Sequence, residues 1–131
     1  MSTFHLQIVT PDGAFFDGDA ERLKVRTIDG DVAILPHHIP YVTVLGTGEA
    51  DVVVDGVVRR AAASGGMLSV TGGDVRIVAT TFEWAEDIDE QRAKLAKEKA
   101  EEMIRNAKDA QELERAKAKL LRALTRLKVK G

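Results

Sequence analysis

The sequence predicts a β + α protein, an N-terminal antiparallel β-sandwich followed by a C-terminal antiparallel hairpin of two helices. Three observations point to it. All six aromatic residues, all three prolines and ten of the eleven glycines lie before residue 85. From Asp74 to Lys130 there is neither glycine nor proline. Beyond Trp84 the chain is mostly Ala, Glu, Lys, Arg and Leu. Glycine and proline punctuate turns, whereas the residues of the tail are the strongest helix formers. The expected division is 1–84 for the β module and 85–131 for the helical one.

The β module is read strand by strand. Phe4, Leu6 and Ile8 alternate with His5, Gln7 and Val9, the period of two of a half-buried strand. Thr10-Pro11-Asp12-Gly13 then supplies a turn. Leu23, Val25 and Thr27 alternate with charged residues in a second clear strand, and Asp31 to Leu35 forms a shorter one stopped by Pro36. Asp55-Gly56 sits between β-branched runs, which favours a two-residue hairpin with positive φ. Met67–Val70 and Asp74–Thr80 form another hairpin across Thr71-Gly72-Gly73. Short strands at this spacing, with no helical period between them, indicate a sandwich or flattened barrel.

In the tail, Asp87 followed by Glu90 reads as a capping box with Asp87 as N-cap. The first helix is then expected over about 88–105. Asn106-Ala107-Lys108 makes the turn, and Asp109 with Glu112 repeats the cap for a second helix ending near Leu127. The stripe of the first helix is Ala93, Ala96, Ala100, Met103 and Ile104, and that of the second Leu113, Leu120, Leu124 and Leu127. A short connection makes the helices antiparallel. An alanine seam removes little apolar area from water, so the hairpin is expected to be marginal and able to open without unfolding the β module.

Composition excludes several classes. There is no cysteine, hence no disulfide or thiol chemistry. The net charge of −2 divides into −5 before residue 85 and +3 after it, too mild for a nucleic-acid binder. No signal peptide or apolar run long enough for a membrane span is visible, so a soluble, intracellular chain without direct membrane insertion is expected. No serine has a nucleophile-elbow context and no phosphate-cradling glycine loop appears, so intrinsic catalysis is not expected. His37 and His38 lie between Pro36 and Pro40 and point in opposite directions on an extended segment, which suits a structural loop better than a metal site. Arg122 and Arg126 stand one turn apart on the second helix, and an antiparallel hairpin brings Arg92 near them. By spacing alone these cations are either gathered around an anion or solvated and paired with Glu90, Glu98 and Glu114.

The chain resembles the epsilon chain of bacterial F-type ATP synthases over nearly its whole length. The stretch Gly30-Asp31-Val32-Ala33-Ile34-Leu35-Pro36-His37-His38-Ile39-Pro40 carries the resemblance, with Ser64-Gly65-Gly66 and the entry Asp87-Ile88-Asp89 after it. Phe82 stands where that family usually has a small residue. The resemblance implies a sandwich of about ten strands and a non-catalytic place on the central stalk. The sandwich would touch the gamma subunit and the c-ring, helping to couple proton flow to ATP synthesis. The helices, raised along gamma, would meet the beta (and alpha) subunits and oppose ATP hydrolysis. The expected location is the cytoplasmic face of the bacterial cell membrane, peripherally held.

Some bacterial members also bind ATP in the closed hairpin through Ile/Leu-Asp-x-x-Arg-Ala, which Ile88-Asp89-Glu90-Gln91-Arg92-Ala93 matches in full. The resemblance implies that Glu83, Ile88, Asp89 and Ala93 hold the nucleoside end and that Arg92, Arg122 and Arg126 face the phosphates, with Arg115 nearby. It thus favours the anion for the clustered arginines. No cofactor is required on this reading; ATP is a regulatory ligand, with or without magnesium. The rivals from other classes are a free-standing nucleotide sensor with no rotary partner and a generic adaptor whose helices bind another protein.

Overall fold

The computed structural model describes residues 2–131. Eight strands precede two helices: β1 (Phe4–Thr10), β2 (Gly13–Ala20), β3 (Arg22–Thr27), β4 (Gly30–Ile34), β5 (Tyr41–Val44), β6 (Thr47–Val54), β7 (Val57–Thr71), β8 (Asp74–Trp84), α1 (Glu90–Arg105) and α2 (Ala110–Lys130). The hydrogen-bonded order is β2-β1-β8-β7-β6-β3-β4, with β5 on β7 as a branch. The family's ten strands become eight because the long strands serve twice. β7 pairs with β6 along Val57–Ser64 and with β5 along Met67–Val70. The pairing is antiparallel as expected except at one place, where β1 runs parallel to β8 from His5↔Asp74 to Val9↔Val78.

The change of partner along β7 occurs at Gly65 and Gly66, whose φ values are 68° and 110°. A Cβ at Gly66 would lie 1.8 Å from the Val78 carbonyl oxygen on β8. Only glycine therefore fits the bend that lets one strand join both layers. At the expected hairpin, Asp55 (φ 51°) and Gly56 (φ 76°) close Val54 onto Val57, the two-residue turn that the Asp-Gly pair favours. The inward residues of each alternating strand form one core, including Leu6, Ile8, Leu23, Val25, Ile34, Val52, Leu68 and Ile77. Phe82 belongs to it as well, packed edge-on to Phe15 (5.2 Å) and Trp84 (5.6 Å).

After Trp84 a single 3-10 turn, Ala85–Asp87, leads into α1. The N-cap is Asp89 and not Asp87: its carboxylate accepts the Arg92 backbone N–H at 3.1 Å. Asp87 is taken up by the 3-10 turn, so Ile88 stays extended (φ −74°, ψ 127°) and the helix starts two residues later than its capping pattern suggests. At α2 the expected cap holds, with the Asp109 carboxylate accepting the Glu112 N–H at 2.8 Å. The helix runs on to Lys130, past the expected end near Leu127.

The seam of the hairpin is narrower than the expected stripes. Its buried residues are Ala93 and Ala100 on α1, and Ala116, Ala123, Thr125 and Val129 on α2. Ala96 is exposed, and Leu124 is 41% exposed. The alanines recur at seven residues on each helix, which lets the backbones approach closely where leucine would hold them apart. Packing of α1 is chiefly on α2, and α2 in turn packs on β6, β7 and the 3-10 turn.

Candidate nucleotide site at the foot of the hairpin

Because α2 is the helix laid on the sheet, α1 stands off it and leaves a cleft of about 610 Å³. One wall is the start of α1, with Asp89, Arg92 and Ala93; the floor is the end of β8, with Phe82 and Glu83; Arg126 closes one side. The volume falls within the range of small-ligand sites. The end of β8, the start of α1 and the last turns of α2 thus meet there.

The local folding of each explains its placement. Asp89 is held by its capping bond, which fixes the first turn of α1 and puts Arg92 one turn in. Ala93 is buried in the seam, so no bulky group fills the space beside Arg92. Glu83 is the penultimate residue of the last strand, and its Oε1 accepts the Arg126 Nε–H at 2.5 Å. Arg126 and Glu83 are only part-buried. Among the described residues no ion pair forms on Arg92, Arg115 or Arg122.

Three residues of the expected set fall elsewhere. Ile88 is 3% exposed and packs with Ala62 and Val129, with Ala85 beside them, in a small apolar cluster separate from the main core. Arg122 lines a neighbouring recess shared with Glu83 and Arg126. Arg115 lines neither and is exposed, since it lies on α2 well above the foot of the hairpin. Glu90 and Glu114 pair with Lys94 and Lys117, not with the arginines.

The opposite wall of the cleft is formed by the turn between β1 and β2, with Thr10, Asp12, Gly13 and Phe15. By sequence, Thr10–Gly13 reads only as a turn. Nothing in its composition signals that it faces a helix that starts some 80 residues later; the parallel pairing of β1 with β8 brings it there.

Below the cleft the end of α2 is tied down. Val129 is 1% exposed in its small cluster, and Lys130 Nζ donates to the carbonyls of Ala85 (3.2 Å) and Glu86 (3.4 Å). Arg59 donates to Glu86 at 2.9 Å while its guanidinium lies 3.8 Å from the Trp84 ring centroid. That hydrogen bond holds the Glu86 carboxyl below the usual range. His37 and His38 lie on the loop before β5, where His38 Nδ1 meets the Ile39 carbonyl at 2.8 Å.

Residues 3–85 match the family model for the ATP synthase delta/epsilon chain beta-sandwich domain, and residues 86–131 that for its long alpha-helix domain. The chain belongs to the ATP synthase delta/epsilon family, on its epsilon branch. It is 44% identical over 131 residues to the ATP synthase epsilon chain of Bacillus velezensis, covering 100% of this chain and 99% of that one. The epsilon chain of Caldicellulosiruptor bescii is 41% identical over 129 residues, covering 98% of this chain and 94% of the relative. Among solved structures, a chain of the Euglena gracilis mitochondrial ATP synthase OSCP/F1/c-ring assembly superposes with a TM-score of 0.80 at 22% identity, over 92% of this chain and 77% of that one. A chain of the Tetrahymena thermophila mitochondrial ATP synthase central stalk/c-ring gives 0.65 at 14% identity, over 97% and 96%. At those identities the two structures bear on the fold alone.

Proposed function

We propose that this chain is a non-catalytic central-stalk subunit whose closed hairpin binds ATP and whose open hairpin restrains ATP hydrolysis. Residues 1–84 dock on the rotor, against the gamma subunit and the c-ring, and residues 85–131 form the regulatory arm that meets beta and alpha subunits when raised. The relatives are bacterial epsilon chains, which supports a peripheral position on the cytoplasmic face of the cell membrane. Among the described residues no helix is long and apolar enough to cross a membrane.

One observation carries the ATP reading: Glu83, Asp89, Arg92, Ala93 and Arg126 converge on a single cleft while α2 lies on the sheet. Arg92 has no carboxylate partner there, and guanidinium suits phosphate oxygens. Ligand in the cleft binds residues of both modules at once. It therefore favours the closed form by its differential affinity for it, and the raised form loses that stabilisation. Arg122 joins the phosphate end from the adjoining recess after a rotamer change. Ile88 acts from below, by fixing the backbone before Asp89, and Arg115 contributes only long-range positive potential.

Isothermal titration of ATP into the purified chain, beside Arg92→Ala, tests the site. Heat of binding from the native chain and a tenfold or greater loss in the variant are expected. No heat, or equal heat from both, removes the site. Reconstitution into an ATPase complex with and without residues 88–131 tests the restraint; faster hydrolysis after truncation is the expected result.

A further inference from the structure

The proposed ATP reading leaves one wall of the cleft without a role. We infer that Phe15 is the surface on which the nucleobase lies, so that it sets the preference of the cleft for nucleotides over bare polyphosphates. This rests on the ATP reading and deepens it.

The register of β1 and β2 shifts between Ile8 and Val9: Ile8 pairs with Phe16, but Val9 pairs with Ala14. Phe15 is therefore the extra residue of a β-bulge. Without the bulge, strict alternation would send Phe15 and Phe16 to opposite faces. With it, both rings reach Trp84, at 5.4 and 6.1 Å, yet only Phe15 also borders the cleft. Bulges re-aim side chains and are over-represented beside binding sites.

The rings around Phe15 make it a fixed platform. Phe82 meets it at 5.2 Å with planes at 60°, and Phe82 and Trp84 are themselves buried. Phe15 and Phe16 are the members of the cluster left partly open, and of the two Phe15 borders the cleft. The cleft thus offers an aromatic surface from the sandwich and, from the helices, the guanidinium groups of Arg92 and of the Glu83-paired Arg126, with the carboxylates of Asp12, Asp87 and Asp89 also lining it. A ligand with a flat ring and an anionic chain matches both the ring and the cations, whereas inorganic phosphate or tripolyphosphate matches only the cations. A base stacked on an aromatic side chain is worth about 1–3 kcal/mol, or roughly five- to more than a hundredfold in affinity.

The experiment titrates ATP and inorganic tripolyphosphate into the full chain and into Phe15→Leu and Phe15→Tyr. Phe15→Leu is expected to weaken ATP about tenfold and to leave tripolyphosphate unchanged, with Phe15→Tyr restoring ATP. In the native chain, emission from Trp84 is expected to respond to ATP and not to tripolyphosphate, a readout independent of whether any variant folds. Native binding of ATP that is unchanged in Phe15→Leu, or a Trp84 response identical for both ligands, overturns the base platform alone. A native chain that binds no ATP overturns the nucleotide site and the platform together.

Discussion

Arg126 on α2 donates its Nε–H to the Glu83 carboxylate at the end of β8 at 2.5 Å, and this ion pair spans the boundary between the two modules. Both side chains keep about a third of their surface, 27% and 36%, so solvent screens the pair. A double-mutant cycle of Arg126→Ala and Glu83→Ala, read by urea unfolding, is expected to give a coupling of about 0.5–1 kcal/mol. Zero coupling would mean that the pair adds nothing to docking of the hairpin.

The apolar contact beneath that pair is expected to matter more. Val129 is 1% exposed, and Val129→Asp places a carboxylate among Ala62, Ile88 and Ala85. Burying an unpaired charge there costs more than a weakly docked helix can bear, about 2 kcal/mol or more. Amide exchange in α2 should accelerate while β1, β7 and β8 keep their protection, because their core is a separate cluster. Exchange that rises equally in strands and helices would refute independent undocking.

Gly66→Ala tests the bend of β7. The new Cβ would sit 1.8 Å from the Val78 oxygen at a φ of 110°, so β7 and β8 must separate locally. A loss of about 3 kcal/mol or more is expected, against about 1 kcal/mol for Gly72→Ala, which has open space around it at a φ of 47°. Thermal melting of the two variants gives the comparison.

His5 bridges two strands, with Nε2 2.5 Å from Asp17 on β2 and Nδ1 3.4 Å from Asp74 on β8. Its pKa is raised from 6.5, mainly by the hydrogen bond to Asp17, with the charges of Asp17 and Asp74 adding to it against desolvation. A group raised in the folded state contributes stability that is fully present below its unfolded value and is lost as pH rises through its folded one. The β1–β2 edge should accordingly be firmest below about pH 6.5 and loosen above it. Proton NMR of the His5 ring should titrate above 6.5, and Asp17→Asn should bring the midpoint down.

Most of the fold was legible because its signals are local. Leu23, Val25 and Thr27 alternate, and all three are buried; Asp55-Gly56 demands positive φ, and takes it. The start of α1 is not legible because Asp87 and Asp89 are both N-cap residue types, and only the 3-10 turn decides between them. Asp89→Ala is therefore expected to cost the hairpin about 1 kcal/mol, and Asp87→Ala little, by the loss of helical circular dichroism on heating. The seam differs from its leucine stripe for another reason. Leucine spacing marks an apolar face, but close approach of two helices selects the smallest residues, and Leu124 is turned outward.

The site was half legible. Asp89, Arg92 and Ala93 lie in one short run, and Glu83 and Arg126 fall at the ends of their elements, so a closed hairpin gathers them. The contribution of Thr10, Asp12 and Phe15 depends on β1 running parallel to β8 and on a bulge in β2, neither of which leaves a periodic trace.

That α1 rests on α2 and not on the sheet gives the closed form two separate exits. Peeling α2 from β6 and β7 carries its neighbour away as a passenger and bares Val129, Ile88 and Ala62. Parting the seam instead swings α1 out alone, wetting the alanines together with the half-buried Met103, Ile104, Leu113 and Leu120 and leaving the other arm seated. The second route keeps Val129, Ile88 and Ala62 covered, so the outer arm can wander while the foot of the hairpin stays seated whenever the space beneath it stands empty.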